Sequence, residues 1–182
     1  MYICTRILKA VLKRMKAYLL SFVDLKIGEH RFDFHIDSTF FENFLESEII
    51  QADVKVSLVL DKQESMLVLN FDIEGAVKVT CDRCLDEFWF PIKTKEKLIV
   101  KFGKDYEEIS DDMITLSSKS HSIDLQQHIY EYIMLAFPMQ RIHPDLSEGI
   151  SGCNQNMLER LNTVKNNDKT DPRWDVLQKL IN

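Results

Sequence analysis

Glycine and proline are scarce in this chain, 5 and 4 among 182 residues. So few breakers exclude a collagen-like, loop-dominated or low-complexity protein. Long apolar runs are missing too. The longest stretch, residues 17–23, is interrupted by Ser21 and falls far short of the roughly 20 residues a membrane-spanning helix needs. Positive charge is in deficit: 23 Lys and Arg face 29 Asp and Glu, for a net charge of −6. A protein that binds nucleic acid chiefly by neutralising phosphates is normally basic overall, so any RNA contact has to be a local patch. The 4 cysteines lack the spacing of a disulfide framework, which fits a reducing, cytoplasmic setting. No Gly-rich phosphate loop and no serine nucleophile elbow occur, and His121 and His128 lie two turns apart rather than one. With no nucleophile and base to pair, the expectation is a protein that is not an enzyme, takes no small-molecule substrate and inserts in no membrane.

What is present is the composition of a globular chain, 45% hydrophobic and 29% charged, of a length for one domain with tails. Residues 1–14 hold Arg6, Lys9, Lys13 and Arg14 and no acid. They resemble a leader, but the apolar run behind them lacks a small-residue cleavage site and ends at Asp24. The expectation is a start at Met15, with residues 1–14 a non-native or upstream extension.

Residues 20–27 and 29–36 read as two strands joined at Gly28, and Asp37-Ser38 caps a short helix carrying Phe40, Phe41 and Phe44. Strict alternation follows, with Ala52, Val54, Val56, Leu58 and Leu60 on one face. After a polar turn at 61–64 the same parity runs from Leu67 to Cys81. A straight strand of that length would span about 50 Å, so either residues 72–75 turn or Gly75 bends a curled strand. Residues 88–92 and 95–102 extend the antiparallel pattern, and residues 105–112 read as an acidic surface loop. Ser122 is the expected cap of a helix over 123–137 that ends at Pro138; residues 140–154 read as a loop. Helices are expected over 155–164 and 172–181, the second with Pro172 at its first position, joined by a polar linker. The fold class is α+β: a curled antiparallel β-sheet or partial barrel in the first half and helices in the second. Residues 15–150 form the domain and 151–182 a C-terminal helical tail.

The densest chemistry lies in Cys81-Asp82-Arg83-Cys84-Leu85. A Cys-x-x-Cys turn is half of a tetrahedral zinc site. The candidates to complete it are His143 and Cys153, about ten residues apart and so poorly spaced for a second knuckle; Cys4 belongs to the leader. The preferred reading is that the two thiols pack as small apolar groups with no cofactor, with zinc at Cys81, Cys84, His143 and Cys153 the alternative. A redox dithiol fits less well, because such motifs sit at helix N-termini. Beside the turn, Lys93, Lys95, Lys97 and Lys101 share one strand face and Arg83 projects nearby. Such a stripe either contacts RNA phosphates or solvates a strand and protects an edge.

The run from Val79 to Phe88 (Val-Thr-Cys-Asp-Arg-Cys-Leu-Asp-Glu-Phe) resembles the signature of the YceD family, proteins of large ribosomal RNA subunit accumulation. Asp124-Leu125, Glu131, Leu135, Pro138 and His143-Pro144 resemble its helix and following loop. Cys153-Asn154, Leu161-Asn162 and Asp171-Pro172-Arg173-Trp174 resemble its C-terminal region, and Met15-Lys16-Ala17-Tyr18 with Phe40-Phe41 its Bacteroidetes-type branch. Many relatives carry a second cysteine pair where this chain keeps Cys153 alone. The resemblance implies a non-enzymatic accessory role in the synthesis, processing or accumulation of 23S ribosomal RNA and in large-subunit assembly. The implied partner is the 23S precursor, a large-subunit ribosomal protein or an assembly factor. A zinc-binding or protein-interaction module without RNA contact is the alternative.

Overall fold

A computed structural model describes residues 17–44, 47–147 and 150–166. The expectations for residues 1–14 and for a helix over 172–181 lie outside them. The chain divides into two compact units. One holds the described residues through Val79 together with Trp89–Met139; the other holds Thr80–Phe88 together with the described residues from Gln140 onward.

The first unit is built on a six-stranded sheet. Strands β2 (Gly28–Asp37), β3 (Gln51–Lys62), β4 (Met66–Thr80), β5 (Glu87–Gly103), β6 (Glu107–Ser110) and β7 (Met113–Ser117) lie in the order β2-β3-β4-β5-β7-β6. The sheet is open, with β2 and β6 at its edges, and mixed rather than antiparallel, because β5 and β7 run parallel. Short β1 (Leu19–Ser21) does not join β2 at Gly28; it pairs with β8 (Ser122–Asp124). The 22–25 segment is instead tied down by Lys62, whose Nζ donates to the carbonyls of Phe22 and Leu25 at 2.8 Å and of Val23 at 3.2 Å.

Alternation decides which face is covered. Val54, Val56, Leu58 and Leu60 of β3 face Gly75, Ile73, Phe71 and Leu69 of β4, and apart from the glycine every one of these side chains is buried. Two short elements close over them. Helix α1 (Ser38–Phe41), one turn capped by Asp37, contributes buried Phe40 and Phe41. Helix α2 (Gln126–Leu135) contributes Ile129, Tyr132 and Ile133. The Tyr132 ring meets Phe71 at 5.3 Å, and Tyr130 stacks on Phe44 at 3.8 Å.

Strand β4 neither turns at 72–75 nor stops there; it continues for 15 residues. Gly75 permits this by closeness rather than by a turn. A Cβ at this position would lie 2.3 Å from the Asp53 carbonyl oxygen, so only glycine lets β3 and β4 approach so tightly. Two further expectations are corrected. The acidic 105–112 segment contains strand β6, because pairing with β7 satisfies its backbone. Residues 122–124 form β8, and α2 starts later, with the Asp124 carboxylate accepting from the Gln126 N–H at 2.9 Å. Strands thus persist well into the second half of the chain.

Candidate metal centre

In the second unit, residues 140–154 are not a plain loop. Strands β9 (Asp145–Ser147) and β10 (Ile150–Ser151) pair as a small hairpin, followed by helix α3 (Gln155–Asn166). The hairpin overcomes the poor spacing of His143 and Cys153, because it folds the intervening residues back on themselves. Gly152 completes the return. A Cβ there would come within 2.4 Å of the Pro144 carbonyl oxygen, and this close crossing sets the direction of Cys153.

The other half is the Cys81–Cys84 turn. The Leu85 N–H donates to the Cys81 carbonyl at 3.0 Å, the Cys81 N–H to Asp86 at 2.9 Å, and the Arg83 N–H points at the Cys81 sulfur at 3.5 Å. Leu85 takes a φ of 64°, the left-handed conformation that closes the turn. Its side chain is exposed.

These halves bring Cys81, Cys84, His143 and Cys153 together, with one donor atom from each lying within 4.8 Å of all the others. The Cys81 and Cys153 sulfurs are 3.8 Å apart, and the Cys84 sulfur is 3.4 Å from Nδ1 of His143. Zinc holds thiolates at about 2.3 Å and imidazole at about 2.0–2.1 Å, so a tetrahedral shell has sulfur–sulfur edges of about 3.8 Å and sulfur–nitrogen edges of about 3.6 Å. These two edges are close to those lengths and every other donor separation lies within 4.8 Å, so the donor set is compatible with the ion. All three thiols are unbridged and buried.

The site is electrostatically asymmetric. Burial opposes ionisation of Cys81, but the N–H groups of Cys84, Arg83 and His143 and the His143 imidazole outweigh it and bring the thiol down to about 6. Burial pushes the Cys153 thiol up, against the Ser151 hydroxyl, and Cys81 and Cys84 add to the rise. The surroundings thus favour the thiolate of Cys81 and disfavour that of Cys153, and binding a cation would favour thiolate ligands.

Three contacts that sequence reasoning missed hold the donors in place. Asp82 accepts from the Arg141 N–H at 2.7 Å and from its guanidinium at 3.3 Å, while the Asp82 N–H donates to the Arg141 carbonyl at 2.9 Å. This clamp fixes the segment two residues ahead of His143. The His143 ring lies 4.4 Å from the Phe88 ring, which sets its plane. Asn154, beside Cys153, donates to Asp86 at 3.0 Å. Only the position of Asp82 between the cysteines hinted at such a role; the partners in all three contacts are distant in sequence.

The basic residues stand apart. Arg83 is exposed on the cysteine turn, in the second unit; Lys93, Lys95, Lys97 and Lys101 share the exposed face of β5, in the first, with half-exposed Trp89 on the same face. Lys93 and Lys95 are ion-paired at 3.2 Å with Glu74 and Asp72 of β4. Lys97, Lys101 and Arg83 have no carboxylate partner among the described residues. The stripe thus carries less free charge than its lysines suggest. No helix among the described residues is long and apolar enough to cross a membrane.

The family model described as large ribosomal RNA subunit accumulation protein YceD matches residues 69–181. No curated protein and no solved structure matches the chain.

Proposed function

Because this chain belongs to the YceD family, we propose that it is a non-enzymatic accessory factor for accumulation of the large-subunit ribosomal RNA. Its second unit would be held by structural zinc. The observation that carries the zinc reading is the content of that unit's core. Among the described residues, its buried apolar side chains are Cys81, Cys84, Cys153 and Phe88. One buried aromatic side chain, at about 1.5–3 kcal/mol, adds little against the roughly 1–2 kcal/mol of backbone freedom that each ordered residue loses. Small folds of this kind are completed by a metal or by cross-links. Cys81, Cys84, His143 and Cys153 would hold the ion, which supplies folding energy and no reaction chemistry.

The RNA contact is assigned to cations with no carboxylate partner among the described residues: Lys97 and Lys101 in the first unit and, taken separately, Arg83 in the second. Lys93 and Lys95 contribute less, since phosphate has to displace Glu74 and Asp72. Three phosphate contacts to single-stranded RNA would give a slope of about −2 in log affinity against log salt. The acidic remainder of the chain limits non-specific binding, and the 23S precursor in the cytoplasm is the expected target. The second reading, docking on a basic ribosomal protein or assembly factor without touching RNA, draws support from the neutralised Lys93 and Lys95.

The test is recovery of the tagged protein from cells at mild salt, scoring large-subunit RNA against small-subunit RNA. Enrichment lost in an Arg83→Glu, Lys97→Glu, Lys101→Glu variant supports direct contact. Enrichment unchanged in that variant removes the three cations from the site, and absence of large-subunit RNA from the wild-type sample overturns the functional reading.

A further inference from the structure

A crevice of about 320 Å³ opens in the first unit, bordered by β6, β7, β8 and the start of α2. Its floor is apolar, formed by the buried side chains of Ile114, Leu116 and Ile123. Its rim carries three carboxylates, Glu108, Asp124 and Glu131, and no Lys or Arg lines it. Each carboxylate accepts a hydrogen bond from a neutral donor only: Glu108 from the Tyr106 hydroxyl at 2.7 Å, Glu131 from Gln127 at 2.7 Å, and Asp124 from the Gln126 N–H at 2.9 Å. None is ion-paired within the described residues.

Three acids elsewhere in the first unit are ion-paired instead. Asp33 meets Lys55 at 3.8 Å, Asp72 meets Lys95, and Glu74 meets Lys93. The crevice also contains the half-buried ring of His128. Burial pulls the imidazole below its ordinary range, against the pull of Glu131, Glu108 and Asp124, so at neutral pH it brings no positive charge to offset the rim. The three carboxylates are exposed at the rim, where charge of one sign around a concave surface attracts an incoming counter-ion.

We propose that this crevice is a docking site for a basic protein segment, taking the side chain of one arginine or lysine. The aliphatic stem lies on Ile114, Leu116 and Ile123, and the cationic head sits among Glu108, Asp124 and Glu131. Long cationic side chains bury their stems on apolar surface while the head stays among polar groups, which is the division this crevice offers. The volume is at the low end for ligand sites, about 300–1,000 Å³, and suits one long side chain better than a cofactor. A bare metal ion does not fit, because among the described residues only the cysteine–histidine cluster gathers enough donors closely enough to hold one. Beside the rim, edge strand β6 is exposed throughout, with Ile109 uncovered, leaving room for the backbone of the segment.

The site is independent of the RNA reading. The test titrates the full chain into a fluorescein-labelled octapeptide of alternating arginine and leucine, read by anisotropy, with amide shifts mapped by NMR. Glu108→Gln with Glu131→Gln should weaken binding at least tenfold, whereas Asp72→Asn with Glu74→Gln, which removes the same formal charge elsewhere, should change it less than twofold. Peptide-induced shifts should concentrate at residues 106–108 and 122–131. Equal weakening by both double variants, shifts spread over the surface, or no binding by the wild-type chain would overturn the proposal. Displacement of the peptide by equimolar spermine would also overturn it, by assigning the crevice to small polycations. Large-subunit RNA recovery by the Glu108→Gln, Glu131→Gln variant should be unchanged, which separates this site from the RNA surface.

Discussion

Leu58, Leu60, Leu67, Leu69, Phe71 and Ile73 of the sheet unit are all buried, under Phe40, Phe41 and α2. In the other unit, among the described residues, the buried apolar set is three cysteines and one phenylalanine. The first unit has a hydrophobic core of the ordinary kind; the second has a cluster of donors where a core would be. Their responses to perturbation should therefore separate cleanly.

The largest separation should follow metal removal. Zinc should be present at one ion per chain, and chelation or Cys84→Ser should abolish hydrogen-exchange protection at Cys81 and Leu85 while β3 and β4 stay protected. Protein that is free of zinc yet keeps those two amides protected would erase the distinction between the units. Next comes Phe71→Ala, expected to cost the sheet unit about 3–5 kcal/mol in denaturant unfolding with zinc content unaltered; a loss of zinc would mean that the units are not energetically separate. Smaller still is Asp82→Asn, which breaks the clamp on Arg141 and should lower zinc affinity about 10–100-fold in a chelator competition.

The pH dependences sharpen the contrast. The Arg141 N–H and guanidinium hold Asp82 below its usual carboxylate range. Its contribution is then present above about pH 4 and fades as pH falls through the lowered folded value. Burial likewise holds His128 below its ordinary range, so the unfolded chain takes up that proton first. Stability of the sheet unit should be flat above about pH 6.5 and decline below it, and His128→Gln should flatten that decline. A decline undiminished in the variant would assign the titration to another group.

Much of the sheet was legible because period-2 alternation needs no long-range information. The parity of Val54 to Leu60 and of Leu67 to Val79 predicted both buried faces. Neighbour identity was not legible: nothing local says that β5 runs parallel to β7, or that residues 19–21 pair with residues 122–124. Ser122 read as a cap because a hydroxyl before an apolar run suits a helix start and a strand equally. At the site, the cysteine turn was visible from four residues, but the preference for simple thiol packing rested on the gap between His143 and Cys153. That gap is closed by a two-strand hairpin too short and too polar for periodicity to reveal. The lysine stripe lay on the expected face, yet its charge was overread, since Glu74 and Asp72 belong to a different strand.

The two sulfurs that face each other at 3.8 Å are 72 residues apart in the chain. During synthesis, the Cys81–Cys84 half is made first, and its partners emerge only after β7, β8 and α2 have been translated. Closing a loop of this length costs entropy that grows only slowly with length, so the delay is one of chain availability more than of thermodynamics. A nascent or truncated chain that ends before residue 153 carries a half-built, exposed pair of thiols. The donor set is therefore complete only once the chain has been made through residue 153.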